Sequence, residues 1–162
     1  MSFSGEVANA FGFLVSDYGF RFVDRPDYGA GEMVEYRKEP VTISVGWYKG
    51  EIDVNFSVSL EFSAEHKIFR PYLSRTFQLR EIAVRQNRDA FASWATRRDL
   101  GGFVSRAEQA APYLGACAEI MRQYCVPVLM GDLTLLEHIT MERKANAGRR
   151  SPPSGKPPRD GP

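Results

Sequence analysis

Hydrophobic and polar residues alternate strictly between residues 41 and 58, and this alternation predicts a β-hairpin. Folding the chain at Lys49-Gly50, where the glycine can adopt a positive φ, pairs each position i with position 99 − i. Trp47 then faces Ile52, and one face of the hairpin is apolar while the other is polar or small. A shift of one residue would mix the two faces, so this register is strongly specified.

Two further strands are predicted before the hairpin. Residues 20–24 and 32–38 have the strand pattern, and residues 25–31 between them are predicted to form a loop. Glu39-Pro40 marks the next turn, which we expect to be longer than two residues because proline is strained at the second central position of a type I turn. The prediction is a four-stranded antiparallel meander.

Helices are predicted before and after this meander along the chain. An amphipathic helix over residues 3–18 has its apolar residues three and four apart on one stripe. Ser2 or Ser4 is expected to cap its start, and Gly19 suits the left-handed position that ends it. After the meander, Thr76 is expected to cap a helix over residues 77–86.

Three more helical segments follow towards the C-terminus. Asn87 is expected to cap a short helix over residues 88–97, and Ser105 with Glu108 fits a capping box. Pro112 leaves two alternatives, because it either kinks a helix that starts at this box or opens the helix proper. Asp132 is expected to cap a last helix over residues 133–145.

The predicted fold class is α+β, a four-stranded antiparallel meander with one face covered by the N-terminal helix and the C-terminal helices. Residues 1–146 are expected to form a single domain. Residues 147–162 contain five of the ten prolines and no large apolar residue, so we expect a disordered, basic, proline-rich tail.

The net charge of +1 conceals an uneven distribution. Residues 1–65 contain 5 basic and 11 acidic residues, whereas residues 66–98 contain 8 basic and 2 acidic residues. Basic residues interleaved with aromatic ones are typical of nucleic-acid binders. The same aromatic residues also fit the apolar faces of two short helices, and the acidic remainder would repel phosphate, so the balance argues against nucleic acid.

Residues that could carry catalysis or bind a metal are scattered. His66 and His138 are isolated, which gives no metal-ligand spacing. Cys117 and Cys125 lie eight apart on one predicted helix, about 12 Å and too far for a disulfide, so they are expected to be buried, unreactive thiols. Residues 29–31 precede a strand rather than a helix, which rejects a dinucleotide loop. We expect no cofactor and no metal, and the sequence leans away from an enzyme.

The N-terminus has no basic start followed by an apolar run, and no stretch reaches the length of a membrane span. We therefore expect a cytoplasmic protein that does not enter a membrane.

The polar face of the predicted sheet is the candidate partner surface. Its residues are Glu51, Asp53, Asn55, Ser57 and Glu61. We expect this face to be flat and to form no pocket, which suits a protein partner or an added peptide strand better than a small substrate. A solvated face of a one-sided sheet is the alternative interpretation.

The order of elements also supports a resemblance. A helix ending in Tyr18-Gly19-Phe20 precedes the meander, and a later helix ends in residues 124–129, followed by Gly131-Asp132 and a final helix. Over residues 3–140 the chain resembles small bacterial α+β proteins, some of which are similar to immunity proteins of toxin systems. The resemblance implies a non-enzymatic protein-interaction module and identifies no functional residue.

Two alternatives stay open beside the interaction module. The chain could be a small-ligand binder or enzyme with a cavity between sheet and helices. It could also be a nucleic-acid-associated protein that uses the basic segment 66–98.

Overall fold

The computed structural model describes residues 2–28, 31–59, 62, 75–89 and 109–150. Within these residues the strands form one antiparallel sheet in the order β1-β2-β3-β4-β5. The strands are β1 (Arg21–Tyr28), β2 (Gly31–Lys38), β3 (Val41–Tyr48), β4 (Glu51–Val58) and β5 (Thr76–Gln78). The helices are α1 (Phe3–Phe11), α2 (Phe13–Ser16), α3 (Leu79–Gln86), α4 (Ala111–Tyr124), α5 (Val126–Leu129) and α6 (Thr134–Arg150).

The central hairpin has the predicted register. Trp47 pairs with Ile52, and the pairing continues to Val41 with Val58. Both turn residues have positive φ, 51° at Lys49 and 90° at Gly50. This is the type I′ geometry, whose twist matches that of the flanking strands.

One face of the sheet carries the core, which confirms the α+β class. Its fully or almost fully buried side chains include Val34, Tyr36, Ile43, Val45, Ile52, Val54, Phe56 and Phe77. Helices α1 and α4 pack against each other, and α1 also contacts β2. The Tyr36 hydroxyl donates a hydrogen bond to the Val7 carbonyl in α1 at 3.3 Å, so even the polar tip of this core tyrosine has a partner.

The sheet has a fifth strand that the sequence analysis assigned to a helix. Thr76 does not cap a helix; it begins β5, and α3 starts only at Leu79. Phe77 pairs with Phe56 and is completely buried on the core face. Thr76–Gln78 are too few for their alternating pattern to be distinguished from the start of a helix. Pairing with β4 satisfies the backbone groups of these residues and buries the ring of Phe77.

The N-terminal helix is divided at Gly12 into α1 and α2. Ser2 caps α1, because its hydroxyl accepts a hydrogen bond from the Gly5 amide at 3.2 Å. Gly19 has φ 71°, and the Phe20 amide reaches back to the Leu14 carbonyl at 2.9 Å. These contacts are the predicted left-handed helix end.

The structure decides the question of Pro112. Helix α4 begins at Ala111, so Pro112 lies in its first turn, where a missing N–H leaves no hydrogen bond unmade. Asp132 caps the start of α6 by accepting a hydrogen bond from the Thr134 amide at 3.0 Å. A hydrogen bond with the Thr134 side chain, followed by this bond from its backbone amide, lowers the pKa of Asp132.

Three predicted boundaries were wrong. Strand β1 extends to Tyr28, with a bulge between Arg25 and Tyr28, so the predicted loop over 25–31 is much shorter. The connection from β2 to β3 contains only Glu39-Pro40, which are joined by a cis peptide bond. Helix α6 continues to Arg150, beyond the predicted end at 145.

Several other predictions fall outside the described residues. They concern Glu61, His66, the capping box at Ser105, most of the helix over 88–97 and the tail from residue 151 onwards.

Candidate functional site

The side chains that alternate with the core residues form the second face of the sheet, which we call the open face. The strand pairings place on it Glu35 and Arg37 of β2, Thr42, Ser44 and Tyr48 of β3, Glu51, Asp53, Asn55 and Ser57 of β4, and Thr76 and Gln78 of β5. All of them are exposed or half-buried, in contrast to the buried core face. The sheet is therefore one-sided, as the alternation predicted.

Four of the five predicted surface residues lie together on this face. Glu51 and Asp53 are exposed, while Asn55 and Ser57 are half-buried. Successive members are two residues apart on β4, which corresponds to about 7 Å between neighbours along the strand. Glu61, the fifth predicted residue, lies outside the described residues.

The acidic groups of the open face differ in their partners. Glu35 forms ion pairs with Arg25, at 3.1 Å, and with Arg37. None of the ion pairs among the described residues includes Glu51 or Asp53. Within the described part of the chain, the carboxylate of Glu35 is therefore compensated, whereas those of Glu51 and Asp53 near the hairpin turn have no ion pair.

An aromatic residue accompanies this charge. Tyr48 is opposite Glu51 in the hairpin and is 49% exposed. The Lys49 ammonium lies 5.1 Å from the centre of the tyrosine ring, within the range of a cation–π contact. Exposed tyrosines are enriched at protein interfaces because the ring supplies contact area and the hydroxyl supplies a hydrogen bond.

The open face is concave rather than flat, which corrects the expectation that it forms no pocket. A cavity of about 580 Å³ is lined by residues of β2, β3 and β4 together with Thr76. Its lining includes small residues such as Ser44 and Gly46 beside larger ones such as Tyr48.

A second cavity, of about 830 Å³, opens where β4 and β5 meet α3 and α6. We call it the arginine recess. The polar residues that line it include Asn55, Thr76, Gln78, Arg80, Arg85 and Arg143. Asn55 and Thr76 also line the cavity of the open face, so the two cavities are neighbours.

Arg143 connects three elements in the wall of the recess. Its Nε donates to Glu81 Oε1 at 3.1 Å and its Nη1 donates to the Thr76 carbonyl at 2.9 Å. The guanidinium also lies 4.9 Å from the centre of the Phe77 ring. A single side chain of α6 thus contacts both α3 and β5.

The other side of the recess carries a second ion pair. Arg85 of α3 bonds to Glu142 of α6, and this hydrogen bond is the main reason why the pKa of Glu142 is lowered. His138 also contacts Glu142, with 3.1 Å between Nε2 and Oε1. One polar atom of the recess is unsatisfied, because the Thr76 hydroxyl is buried and has no hydrogen-bond partner among the described residues.

The two thiols carry no nucleophilic chemistry. Both cysteines are free and buried, as predicted. Burial raises the pKa of Cys117 to about 12, against a smaller opposing effect of its hydrogen bond with Tyr113, and burial raises the pKa of Cys125 to about 12. A thiol is reactive as its thiolate, so neither group is activated near neutral pH.

A search of the described part of the chain found no group of three or more His, Cys, Asp or Glu side chains that could hold a metal ion. The same part contains no helix long and apolar enough to cross a bilayer.

Comparison of the chain with protein-family models, with curated proteins and with solved structures gave no match. Any function must therefore be argued from the two cavities themselves.

Sequence reasoning identified the open face but not the arginine recess. Its lining comes from residues 55 to 143, on two strands and two helices. The only signal in the sequence was the excess of arginine in residues 66–98, which contains Arg80 and Arg85. That signal does not show that Arg143, far along the chain, completes the group.

Proposed function

We propose that this chain is a non-enzymatic protein-interaction module that binds a basic partner surface through its open face. The immunity-type role implied by the resemblance, in which a cytoplasmic bacterial protein neutralises a toxin, is the form of this function that we propose to test. The observation that carries the proposal is the exposed pair Glu51 and Asp53, which no cation among the described residues neutralises in an ion pair.

Charge complementarity selects the partner. An uncompensated acidic patch attracts a basic surface over a Debye length of about 8 Å at physiological salt, and it speeds association more than it adds affinity. Tyr48 beside this patch provides exposed aromatic area for the centre of a contact.

The shape of the face also favours a protein. The open-face residues extend over at least four adjacent strands, whose spacing of about 4.8 Å makes the surface more than 14 Å wide. A stable protein interface buries about 800 Å² on each partner, and the open face would form the centre of such an interface rather than all of it. The shallow cavity would then receive one projecting side chain of the partner.

The test takes as the partner the product of a toxin-like open reading frame beside the gene, and finding no such reading frame would count against the immunity-type role. Replacing Asp53 with Arg should weaken binding at least about tenfold in calorimetry, because the substitution places a cation against a basic surface. Glu119→Arg is the matched control, since Glu119 is exposed on α4 and the change in charge is identical. Both variants should keep the wild-type circular dichroism spectrum.

Adding Asn55→Arg to Asp53→Arg should abolish binding, and raising the salt concentration should slow association of the wild type. Equal affinity of the Asp53→Arg and Glu119→Arg variants would remove the open face from consideration. If the neighbouring protein does not bind the wild type at all, the immunity-type role is wrong.

A further inference from the structure

We propose that the cavity of the open face receives one lysine side chain of the basic partner. This inference rests on the proposed function, because it names the group of the partner that the face accommodates. Its evidence is the shape of the cavity floor, the acceptor groups in its wall and the charges beside them.

The floor of the cavity is formed by the middle strand of the face, β3. Gly46 carries no side chain there, and the strand pairings place Met33 of β2 on one side of it and Asp53 of β4 on the other. We call this gap the slot. Adjacent strands are about 4.8 Å apart, so the two flanking residues stand about 10 Å apart across the glycine. Carbon atoms in contact are about 4 Å apart, so one chain of carbon atoms fits between the flanking residues and two do not.

The backbone does not require a glycine at position 46. A Cβ atom there would lie 3.9 Å from the Glu32 carbonyl oxygen, which is an ordinary van der Waals contact, and the φ of Gly46 is not positive. Glycine weakens the interior of a strand and often marks a place where another molecule approaches closely. The missing side chain therefore contributes nothing to β3 and leaves the slot open.

Acceptor groups for an ammonium lie at the slot and one row beyond it. Asp53 flanks the slot, and Ser44 and Asn55 are paired with each other in the next row, about 7 Å along the strands. The side chains of these three residues form no hydrogen bond or ion pair within the described part of the chain. An extended lysine side chain whose stem lies over Gly46 reaches that row.

The arrangement of the acceptors favours lysine over arginine. An ammonium has three donors that point in different directions, whereas a guanidinium is a planar fork that matches the paired oxygens of a carboxylate. The acceptors here are one carboxylate, one hydroxyl and one amide oxygen, on two strands. Met33 adds an apolar wall for the aliphatic stem.

The charges around the slot leave room for a cation from the partner. Arg25 and Arg37, on the β2 side, are ion-paired with Glu35. The Lys49 ammonium lies over the ring of the neighbouring tyrosine. Because none of these cations is ion-paired with Asp53, a lysine of the partner would neutralise that carboxylate.

The first experiment needs no partner protein and is an NMR titration of the full, isotope-labelled chain. The probes are acetylated and amidated pentapeptides Gly-Ser-X-Ser-Gly, in which X is lysine, arginine or norleucine. We expect saturable shifts of the Ser44, Gly46 and Asn55 amides with the lysine peptide, and affinity lower by about threefold or more with the arginine peptide. The norleucine peptide, which has the stem without the charge, should not saturate. Asp53→Asn should weaken binding of the lysine peptide by about threefold or more, because it removes the charged acceptor.

The second experiment fills the slot. Gly46→Leu should abolish saturable binding of the lysine peptide and weaken binding of the toxin-like partner by about tenfold or more in calorimetry. Gly115→Leu is the matched control, since Gly115 is exposed on α4 with no neighbouring atom within 4 Å of a Cβ, and it should change both affinities less than twofold. Circular dichroism checks folding, and Gly46→Ala, which adds one methyl group, gives a smaller loss of affinity if leucine disturbs the sheet.

The outcomes separate this inference from the proposed function. Partner binding that Gly46→Leu leaves unchanged would overturn the inference while the interaction module stands. Saturable binding of the lysine peptide without any binding of the toxin-like partner would support the slot and count against the immunity-type role. The inference is also wrong if the lysine peptide does not saturate, or if the norleucine or arginine peptide binds as tightly.

Discussion

Two arginine–glutamate pairs join α3 to α6, and a double-mutant cycle should show that only one of them stabilises the fold measurably. In the first pair, Arg143 and Glu81 have side chains that are 34% and 25% exposed. Arg143 also bonds to the Thr76 carbonyl and covers the Phe77 ring. The second pair, Arg85 and Glu142, is more exposed and joins only the two helices.

The expected loss follows from the contacts of Arg143. Arg143→Met keeps the aliphatic stem and removes the donors. The bond to a neutral carbonyl is worth about 1 kcal/mol, the bonds to a carboxylate about 1.5–3 kcal/mol and the cation–π contact about 0.5–1 kcal/mol. Because the two side chains are a quarter to a third exposed, water replaces part of these interactions. We therefore expect Arg143→Met to lower the free energy of unfolding by about 2–3 kcal/mol.

Glu81→Gln completes the cycle, and its coupling energy with Arg143→Met should be about 1 kcal/mol. The assay is urea unfolding at 25 °C, followed by circular dichroism, with an unchanged m-value as the check on two-state behaviour. Arg85→Met with Glu142→Gln is the matched control cycle, and its coupling should lie within experimental error. A coupling for Glu81 and Arg143 no larger than that of the control would refute the reasoning.

Three further predictions concern stability. Phe77→Ala should lower the free energy of unfolding in urea by about 3–5 kcal/mol, because it opens a cavity in a fully buried site; a loss below about 1 kcal/mol would mean that β5 is not docked. Gly50→Ala should cost about 1 kcal/mol in the same assay, because φ is 90° there, and an unchanged midpoint would contradict the turn geometry. Burial raises the pKa of both Cys117 and Cys125 to about 12, above the value of about 8.5 in an unfolded chain. The unfolded state therefore loses these protons first, and stability should be unaffected below about pH 8 and fall by about 1.4 kcal/mol per thiol and pH unit between pH 9 and 12. Urea unfolding of the wild type and of a double Cys→Ala variant at each pH checks this, and a difference between the two that does not change with pH would refute it.

The sequence predicted the centre of the sheet well because the strand period and the turn chemistry agree there. Every residue pair on the core face of the hairpin is apolar, and the turn at Lys49-Gly50 can adopt only a few geometries. The helix ends at Ser2, Gly19 and Asp132 were also predictable, since capping depends on neighbours within a few residues.

The predictions failed where long-range contacts decide the local structure. Thr76–Gln78 became a strand because β4 provides an edge to pair with, which no local pattern reveals. The arginine recess escaped for the same reason, because Asn55, Arg85 and Arg143 meet only after the sheet and two helices have assembled. The part of the open face that the sequence predicted, Glu51 to Ser57, was predictable because its residues lie at every second position of the single strand β4.

The chain leaves the sheet after Val58 and rejoins it at Arg75, and two hydrogen bonds join these residues. The Val58 amide donates to the Arg75 carbonyl at 2.9 Å, and the Arg75 guanidinium donates to the Val58 carbonyl at 3.2 Å. The connection between them, 16 residues long, therefore starts and finishes at one point of the sheet, and the sheet sets no length for it. Shortening a flexible loop to a quarter of its length lowers the entropic cost of closing it by only about 1.2 kcal/mol. A change in the length of this connection should therefore cost the five-stranded framework little chain entropy, provided that Phe62 keeps its place against the core.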